Sequence, residues 1–185
     1  MDKAFFFIDG SNFYKGIKSE GGSGWDATHI DLMKFCASII DSADYRIIRI
    51  YYYDAPLRQE WDQKRYSYQQ QFFQRLRSQN NIELRLGRLQ GRYPNIVEKG
   101  VDVMLSVDLI RFARNDSFDC GILLTADADY IPAIQLVKDM GKTVCNAYFP
   151  NRASFHIRNH ADRFLPIDFK MVLQNQLPKL KKPTL

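Results

Sequence analysis

Five aspartates lie at positions where the chain is expected to leave a strand or to begin a helix, although they are far apart in sequence. Carboxylates at close range repel and raise each other's pKa values, so a folded protein gathers them mainly around a cation. Their hard oxygen ligands suit Mg²⁺ or Mn²⁺, which also bind substrate phosphate and promote hydrolysis of phosphodiester bonds. The five residues are Asp9, Asp54, Asp102, Asp127 and Asp129.

Each of these aspartates has a simpler interpretation. Asp9 closes the apolar run of residues 4–8 and precedes the letters GSN, which suit a tight turn. An aspartate between a strand and a helix is, taken singly, more often a helix cap than a metal ligand, and Asp129 has the same alternative. The convergence of Asp9, Asp102 and Asp127 on one rim favours a metal site.

Asp108 is predicted to point away from that rim. It follows Asp102 by six residues, which corresponds to about 120° around a helix and roughly 9 Å along it. We expect it to face a buried partner such as an arginine or a backbone donor.

The elements that must position these residues alternate along the chain. The pattern predicts a three-layer α/β/α sandwich with a mainly parallel central sheet. In such sheets ligands bind beyond the carboxyl ends of the strands, which places all five aspartates on one rim. Strands are predicted at 3–8, 45–55, 82–92, 118–126, 143–149 and 163–167, and helices at 11–19, 28–40, 60–80, 101–115, 129–142, 154–162 and 168–177; a Gly- and Ser-rich loop is predicted at 19–25.

The composition is that of one folded domain. The 185 residues are 45% apolar and carry a net charge of +5, which permits a polyanionic partner. We predict a domain at residues 1–170, followed by a helix end and basic tail at 171–185. No apolar run approaches the ~18 residues of a membrane span, and the three cysteines are odd in number and have no metal-ligand spacing. We therefore expect a cytoplasmic protein without a membrane partner.

Three motifs of the chain read FIDGSNFY, EKGVDVMLSVDL and LLTADADYIPAI, in that order. They resemble the motifs of the NYN domain family, in its LabA-like branch, within the PIN-like nucleases. The third motif of the family usually reads close to SGDSDF, whereas residues 125–130 read TADADY, which keeps both acids. The resemblance covers roughly residues 3–165.

The resemblance implies a Mg²⁺- or Mn²⁺-dependent endoribonuclease that acts on single-stranded or structured RNA. Asp9, Asp102 and Asp127 would bind the metal or its waters. Asn12 would orient the site or a phosphate, and Asp129 would be an additional acid. Candidate substrate contacts, drawn from the motifs and from neighbouring basic segments, are Ser11, Lys99, Arg92, Tyr93, Arg152 and Arg158.

Other interpretations remain open. His156 and His160 have the i, i+4 spacing of a zinc pair. The helix at 60–80 mixes basic and aromatic residues, as in single-strand binding or in an amphipathic helix with a solvated basic face.

A phospho-aspartate phosphatase is disfavoured, because Ser11 stands where that class needs a second acid. The strongest alternative is an RNA-binding or protein-docking module of the same fold without turnover. An edge strand near 82–92 leaves a homodimer or an unknown protein partner open.

Overall fold

The computed structural model describes residues 1–22, 27–92 and 95–177. Part of the predicted Gly- and Ser-rich loop (23–26), the predicted substrate contact Tyr93, and the basic tail from 178 onward lie outside these residues. Within them, no helix combines the length and the apolar character that crossing a bilayer requires.

Six parallel strands form the central sheet, in the order β3-β2-β1-β6-β7-β8, and two further strands pair as a separate antiparallel hairpin, β4-β5. The arrangement confirms the predicted α/β class with a mainly parallel sheet. The strands of the described residues are β1 (Asp2–Asp9), β2 (Tyr45–Asp54), β3 (Ile82–Leu86), β4 (Arg88–Arg92), β5 (Asn95–Lys99), β6 (Cys120–Leu124), β7 (Thr143–Tyr148) and β8 (Arg163–Pro166).

Helices cover both faces of the sheet. The first face is covered by α1, α2, α3 and α7, and the second by α4, α5 and α6. Their bounds are α1 (Gly10–Gly21), α2 (Leu32–Ile39), α3 (Gln63–Arg77), α4 (Val101–Arg114), α5 (Ile131–Asp139), α6 (Phe155–Arg158) and α7 (Phe169–Gln174). Aspartate side chains cap the amino ends of α1, α2, α3 and α7 by accepting backbone N–H bonds.

The central strand β1 shows why both faces need helices. Phe6 and Ile8 pack into the core on the α1 side, whereas Phe5 and Phe7 pack into the core on the α4 side. Successive side chains of a strand point to opposite faces, so a strand that is apolar at every position must be covered twice.

Three predicted elements differ from the observed ones. The strand predicted at 82–92 is divided at Gly87, where a Cβ atom would lie 2.7 Å from the carbonyl oxygen of Lys99; β3 joins the sheet and β4 pairs with β5, a segment for which no strand was predicted. Helix α4 is apolar nearly all round in sequence, but it leaves Val103 66% exposed. The helix predicted at 154–162 is only the four residues of α6.

The strand order places a crevice at the carboxyl edge of the sheet. From β1 the chain proceeds outward through β2 and β3, and it then returns to the other side of β1 with β6. At such a reversal point, the segments that follow two neighbouring strands turn to opposite faces of the sheet, which leaves a crevice between them. α/β proteins bind ligands in this crevice. Asp9 ends β1 and Thr125 directly follows β6, so both lie at this point.

Candidate active site

Asp9 is almost completely buried, with 2% of its surface exposed, and its carboxylate has several donors. Its Oδ1 accepts the backbone N–H of Asn12 at 2.9 Å, and its Oδ2 accepts the Asn12 side-chain amide at 2.6 Å. The hydroxyls of Tyr130 and Thr125 approach the same Oδ2 at 3.3 and 3.4 Å. The GSN segment is therefore the first turn of α1, not a separate turn, and Asp9 is both a helix cap and a member of the rim cluster.

The helix start beside Asp9 requires a residue without a side chain. A Cβ atom at Gly10 would lie 2.7 Å from the carbonyl oxygen of Tyr53 and 2.8 Å from the Tyr52 ring. Glycine thus lets α1 begin directly against β2, and this close approach fixes where the Asp9 carboxylate lies.

Tyr130 joins two of the predicted aspartates. Its hydroxyl lies 2.9 Å from Asp102 Oδ1 and 3.3 Å from Asp9 Oδ2. Burial, with the charges of Asp9 and Asp102, raises the pKa of the Tyr130 hydroxyl, which therefore stays protonated and able to donate. The sequence analysis did not single out this tyrosine as a functional residue.

Burial and, to a smaller extent, neighbouring carboxylates raise the pKa values of three acids at the rim. Burial raises the pKa of Asp9, and the charge of Asp102 adds to this effect, whereas the hydrogen bonds from Asn12 oppose it. Burial raises the pKa of Glu98 to about 7, with further contributions from Asp9 and Asp102. Burial likewise raises the pKa of Asp54 to about 7, and Glu98 and Asp9 add to it. These residues form an acidic group at the rim.

Glu98 was missed by the sequence reasoning. It lies on β5, directly opposite Leu89 of β4, and the hairpin brings it over the carboxyl edge of the sheet. A signal was present, because Glu98 is the first residue of the motif EKGVDVMLSVDL. Asp54, in contrast, lies at the end of β2 on the rim, where it was expected.

Asp127 and Asp129 are placed differently from Asp9 and Asp102. Asp127 Oδ1 accepts the backbone N–H of Asp129 at 3.0 Å, so Asp127 caps a short 3-10 helix at Ala128–Tyr130. The Asp127 N–H donates to Thr125 Oγ1, which contacts Asp9 in turn. Asp129 is exposed. It does not cap helix α5, which begins after Tyr130 without a side-chain cap.

Asp108 points away from the rim, towards β2 and β3, as the helical spacing indicates. Its Oδ1 lies 2.7 Å from Arg111, and its Oδ2 accepts the Tyr53 hydroxyl at 3.0 Å. Arg85 Nε is 3.4 Å from Oδ2, which is within ion-pair distance, but its direction is unfavourable for a hydrogen bond. Asp108 therefore has arginine partners, as predicted, but the arginine side chains are partly exposed and not buried.

The predicted substrate contacts are spread around the rim. Ser11 lies in the first turn of α1, and Lys99 and Arg92 are exposed at the ends of β5 and β4. Arg152 lines a small cleft together with Asn12 and Thr125, so it is close to the acidic group. Arg158 lies over the ring of Phe164, 5.9 Å from its centre, at the β8 side of the molecule.

The zinc interpretation of the two histidines is not supported by their placement. Helix α6 ends at Arg158, so His156 and His160 do not share one helix. A ring nitrogen of His160 is hydrogen-bonded to the backbone carbonyl of His156 at 2.8 Å. The i, i+4 spacing therefore has a local structural explanation.

The donor set fits a hard cation bound by few protein ligands. Across residues 1–22, 27–92 and 95–177, no three acidic, histidine or cysteine side chains are grouped closely enough to ligate one ion together. Mg²⁺ commonly uses only one or two carboxylates and completes its coordination with waters and substrate phosphate. Asp9 and Asp102, which share the Tyr130 hydroxyl, are the pair that fits this mode.

Known proteins resemble the chain in sequence and in fold. An uncharacterized protein of Methanocaldococcus jannaschii is 32% identical over 93 residues, which is 50% of this chain and 39% of that relative. A protein of unknown function from Vibrio parahaemolyticus shares the fold with a TM-score of 0.66 at 21% identity, over 90% of this chain and 93% of that one. The family match extends over residues 3–168. The chain belongs to the NYN domain family.

Proposed function

We propose that the protein is a Mg²⁺- or Mn²⁺-dependent endoribonuclease of the LabA-like branch. The observation that supports this most directly is the pairing of Asp9 and Asp102 on one tyrosine hydroxyl, with Glu98 and Asp54 near them. Among the described residues no lysine or arginine forms an ion pair with Asp9 or Asp102. A divalent cation is the partner that this charge lacks.

Each residue has a role in this proposal. Asp9 and Asp102 would hold the cation, which would supply charge neutralisation at the phosphate and promote hydrolysis by water. Asn12 fixes the orientation of Asp9 through two hydrogen bonds. Tyr130 keeps the two carboxylates apart at a set distance.

The remaining predicted residues act around this pair. Asp127 and Asp129 would contribute through water molecules; the Asp127 backbone, and not its carboxylate, is linked to Asp9, through Thr125 Oγ1. Arg152, beside Asn12 and Thr125, is placed to contact a substrate phosphate. Lys99 and Arg92 lie on the exposed hairpin, where they would meet RNA further from the bond that is cleaved.

The test is cleavage of labelled single-stranded and structured RNAs with Mn²⁺, Mg²⁺ or EDTA. Asp9→Asn is the variant, and Asp139→Asn is the matched control, because Asp139 is exposed on α5. We expect cleavage that needs the metal, is lost in Asp9→Asn and is retained in Asp139→Asn. Equal cleavage by wild type and Asp9→Asn would show that the site is assigned wrongly.

A second candidate function is an RNA-binding module without turnover. The observation in its favour is that no set of three metal-ligating side chains is assembled in the described part of the chain. This candidate predicts RNA binding that persists in EDTA, together with no cleavage in Mn²⁺ by a folded protein. A gel-shift assay run beside the cleavage assay separates the two functions.

A further inference from the structure

A cavity of about 240 Å³ opens beside the acidic group. Its walls come from the start of α1, from one side of α3 and from the β4–β5 hairpin. The residues that define these walls are Ser11 and Tyr14 on α1, Tyr68 and Phe72 on α3, and Leu89 and Glu98 on the hairpin.

Aromatic side chains dominate the α1 and α3 walls. Tyr14 and Tyr68 are partly exposed, and Phe72 closes the inner side. The ammonium of Lys18 lies 4.7 Å from the centre of the Tyr14 ring, and the exposed Arg65 lines the same cavity. Aromatic rings with neighbouring cations are the surfaces on which unpaired nucleobases stack.

The floor of the cavity is polar and acidic. Asp54 and Glu98 line it, and the side chain of Gln69 is held in place there. Gln69 accepts the backbone N–H of Leu57 at 2.7 Å and donates to the carbonyl oxygen of Ala55 at 3.2 Å. Carboxyl groups repel phosphate, so a neutral ring with hydrogen-bonding edges suits this floor and an anionic group does not.

The cavity lies next to the candidate active site. Ser11 lies two residues after Asp9, and Asp54 and Glu98 each interact electrostatically with Asp9. The volume is below the ~300–1,000 Å³ typical of sites for drug-sized ligands. The cavity is thus suited to one planar ring system, and the strand attached to that ring would lie outside the cavity.

We infer that this cavity binds one unpaired nucleobase of an RNA strand, next to the phosphate positioned at Asp9. Tyr68 stacks on the base, and the acidic floor keeps the phosphates outside. The inference rests on the proposed function, and it adds that cleavage depends on the presence of a base at one fixed position relative to the bond that is cut.

Abasic scanning of a cleavable RNA tests this inference. A single base is removed at each position in turn, and kcat/KM is measured in Mn²⁺ for wild type and Tyr68→Ala. Tyr66→Ala is the matched control, because Tyr66 is also a partly buried tyrosine of α3 but does not line the cavity. Stacking of one base contributes about 1–3 kcal/mol, so one abasic position should lower wild-type kcat/KM by roughly 5- to 150-fold.

The expected result is a loss at one position in wild type and Tyr66→Ala, and no further loss at that position in Tyr68→Ala. Equal sensitivity of Tyr68→Ala and wild type, or no sensitive position in wild type, would overturn the inference while leaving the nuclease intact. If no protein cleaves, RNAs carrying 2-aminopurine at successive positions are titrated in EDTA. Quenching at one position that Tyr68→Ala abolishes supports the base site, and no such quenching overturns it.

Discussion

Two buried aspartates, Asp9 at the end of β1 and Asp108 on α4, have contrasting surroundings. Asp9 and Asp108 are 2% and 8% exposed, and each contacts a tyrosine hydroxyl. Asp108 is paired with Arg111 and Arg85, so its charge is compensated within the chain. Asp9 instead interacts with Asp102 and lies near Glu98, which leaves its charge uncompensated among the described residues.

The contrast separates a structural carboxylate from a functional candidate. Burial alone does not distinguish the two, because both aspartates are buried. The sign of the neighbouring charges does distinguish them. A buried carboxylate among other carboxylates is unfavourable unless a cation from outside the chain binds there. The following predictions test this difference, beginning with the largest expected effect.

Cleavage should separate the two aspartates most strongly. We expect Asp9→Asn to lower kcat/KM on RNA by more than about a hundredfold, because the cation would lose a ligand. The kcat/KM of Asp108→Asn should stay within about threefold of wild type per folded molecule, since Asp108 contacts Tyr53, Arg85 and Arg111 and not the acids at the rim. A comparable loss in folded Asp108→Asn would remove the distinction.

Divalent cations should stabilise the protein by binding at Asp9 and Asp102, and not at Asp108. Mn²⁺ or Mg²⁺ at a hundred times its Kd should raise the free energy of unfolding by about 2.7 kcal/mol. Thermal melts should show this stabilisation in wild type and in Asp108→Asn, and most of it should be absent in Asp102→Asn. A full shift in Asp102→Asn would exclude Asp102 as a ligand.

In the absence of metal, the free energy of unfolding should fall more in Asp108→Asn than in Asp9→Asn. Asp108→Asn should lower the free energy of unfolding by about 1–3 kcal/mol, because Arg111 and Arg85 lose their partner. We expect the lower part of this range, since those arginine side chains are 51% and 38% exposed.

Urea denaturation in EDTA measures this change. Asp116→Asn is the control, because Asp116 is 79% exposed in its ion pair with Lys142 and its substitution should leave stability almost unchanged. Asp9→Asn should be less harmful than Asp108→Asn, since it removes repulsion from Asp102. A larger loss in Asp9→Asn would contradict the electrostatic contrast.

A further prediction concerns pH. The pKa of Asp54 is raised from 3.8 to about 7 in the folded protein. Between these values the unfolded chain binds fewer protons than the folded one, so this group makes stability fall as pH rises from about 4 to 7. Urea denaturation in EDTA at pH 5 and pH 8 should therefore show a smaller decrease for Asp54→Asn than for wild type. Equal decreases would show that Asp54 titrates normally.

Much of the fold follows from the sequence because its patterns are local. The fully apolar β1 requires cover on two faces, and alternation of strands with amphipathic helices predicts a parallel sheet. The helical period likewise predicts that Asp108 points away from Asp102. These conclusions depend only on spacing along the chain, so they do not require knowledge of what packs against each element.

The tertiary structure decided how the rim residues meet. Pairing between Leu89 and Glu98 in the hairpin brings Glu98 to the acidic group, and the Tyr130 hydroxyl links Asp102 to Asp9 across 28 and 121 residues of sequence. The sequence by itself determined that acids lie at strand ends. Only the folded chain fixed which of them share a proton donor and which cap a turn, because side-chain direction at a loop depends on contacts between residues remote in sequence.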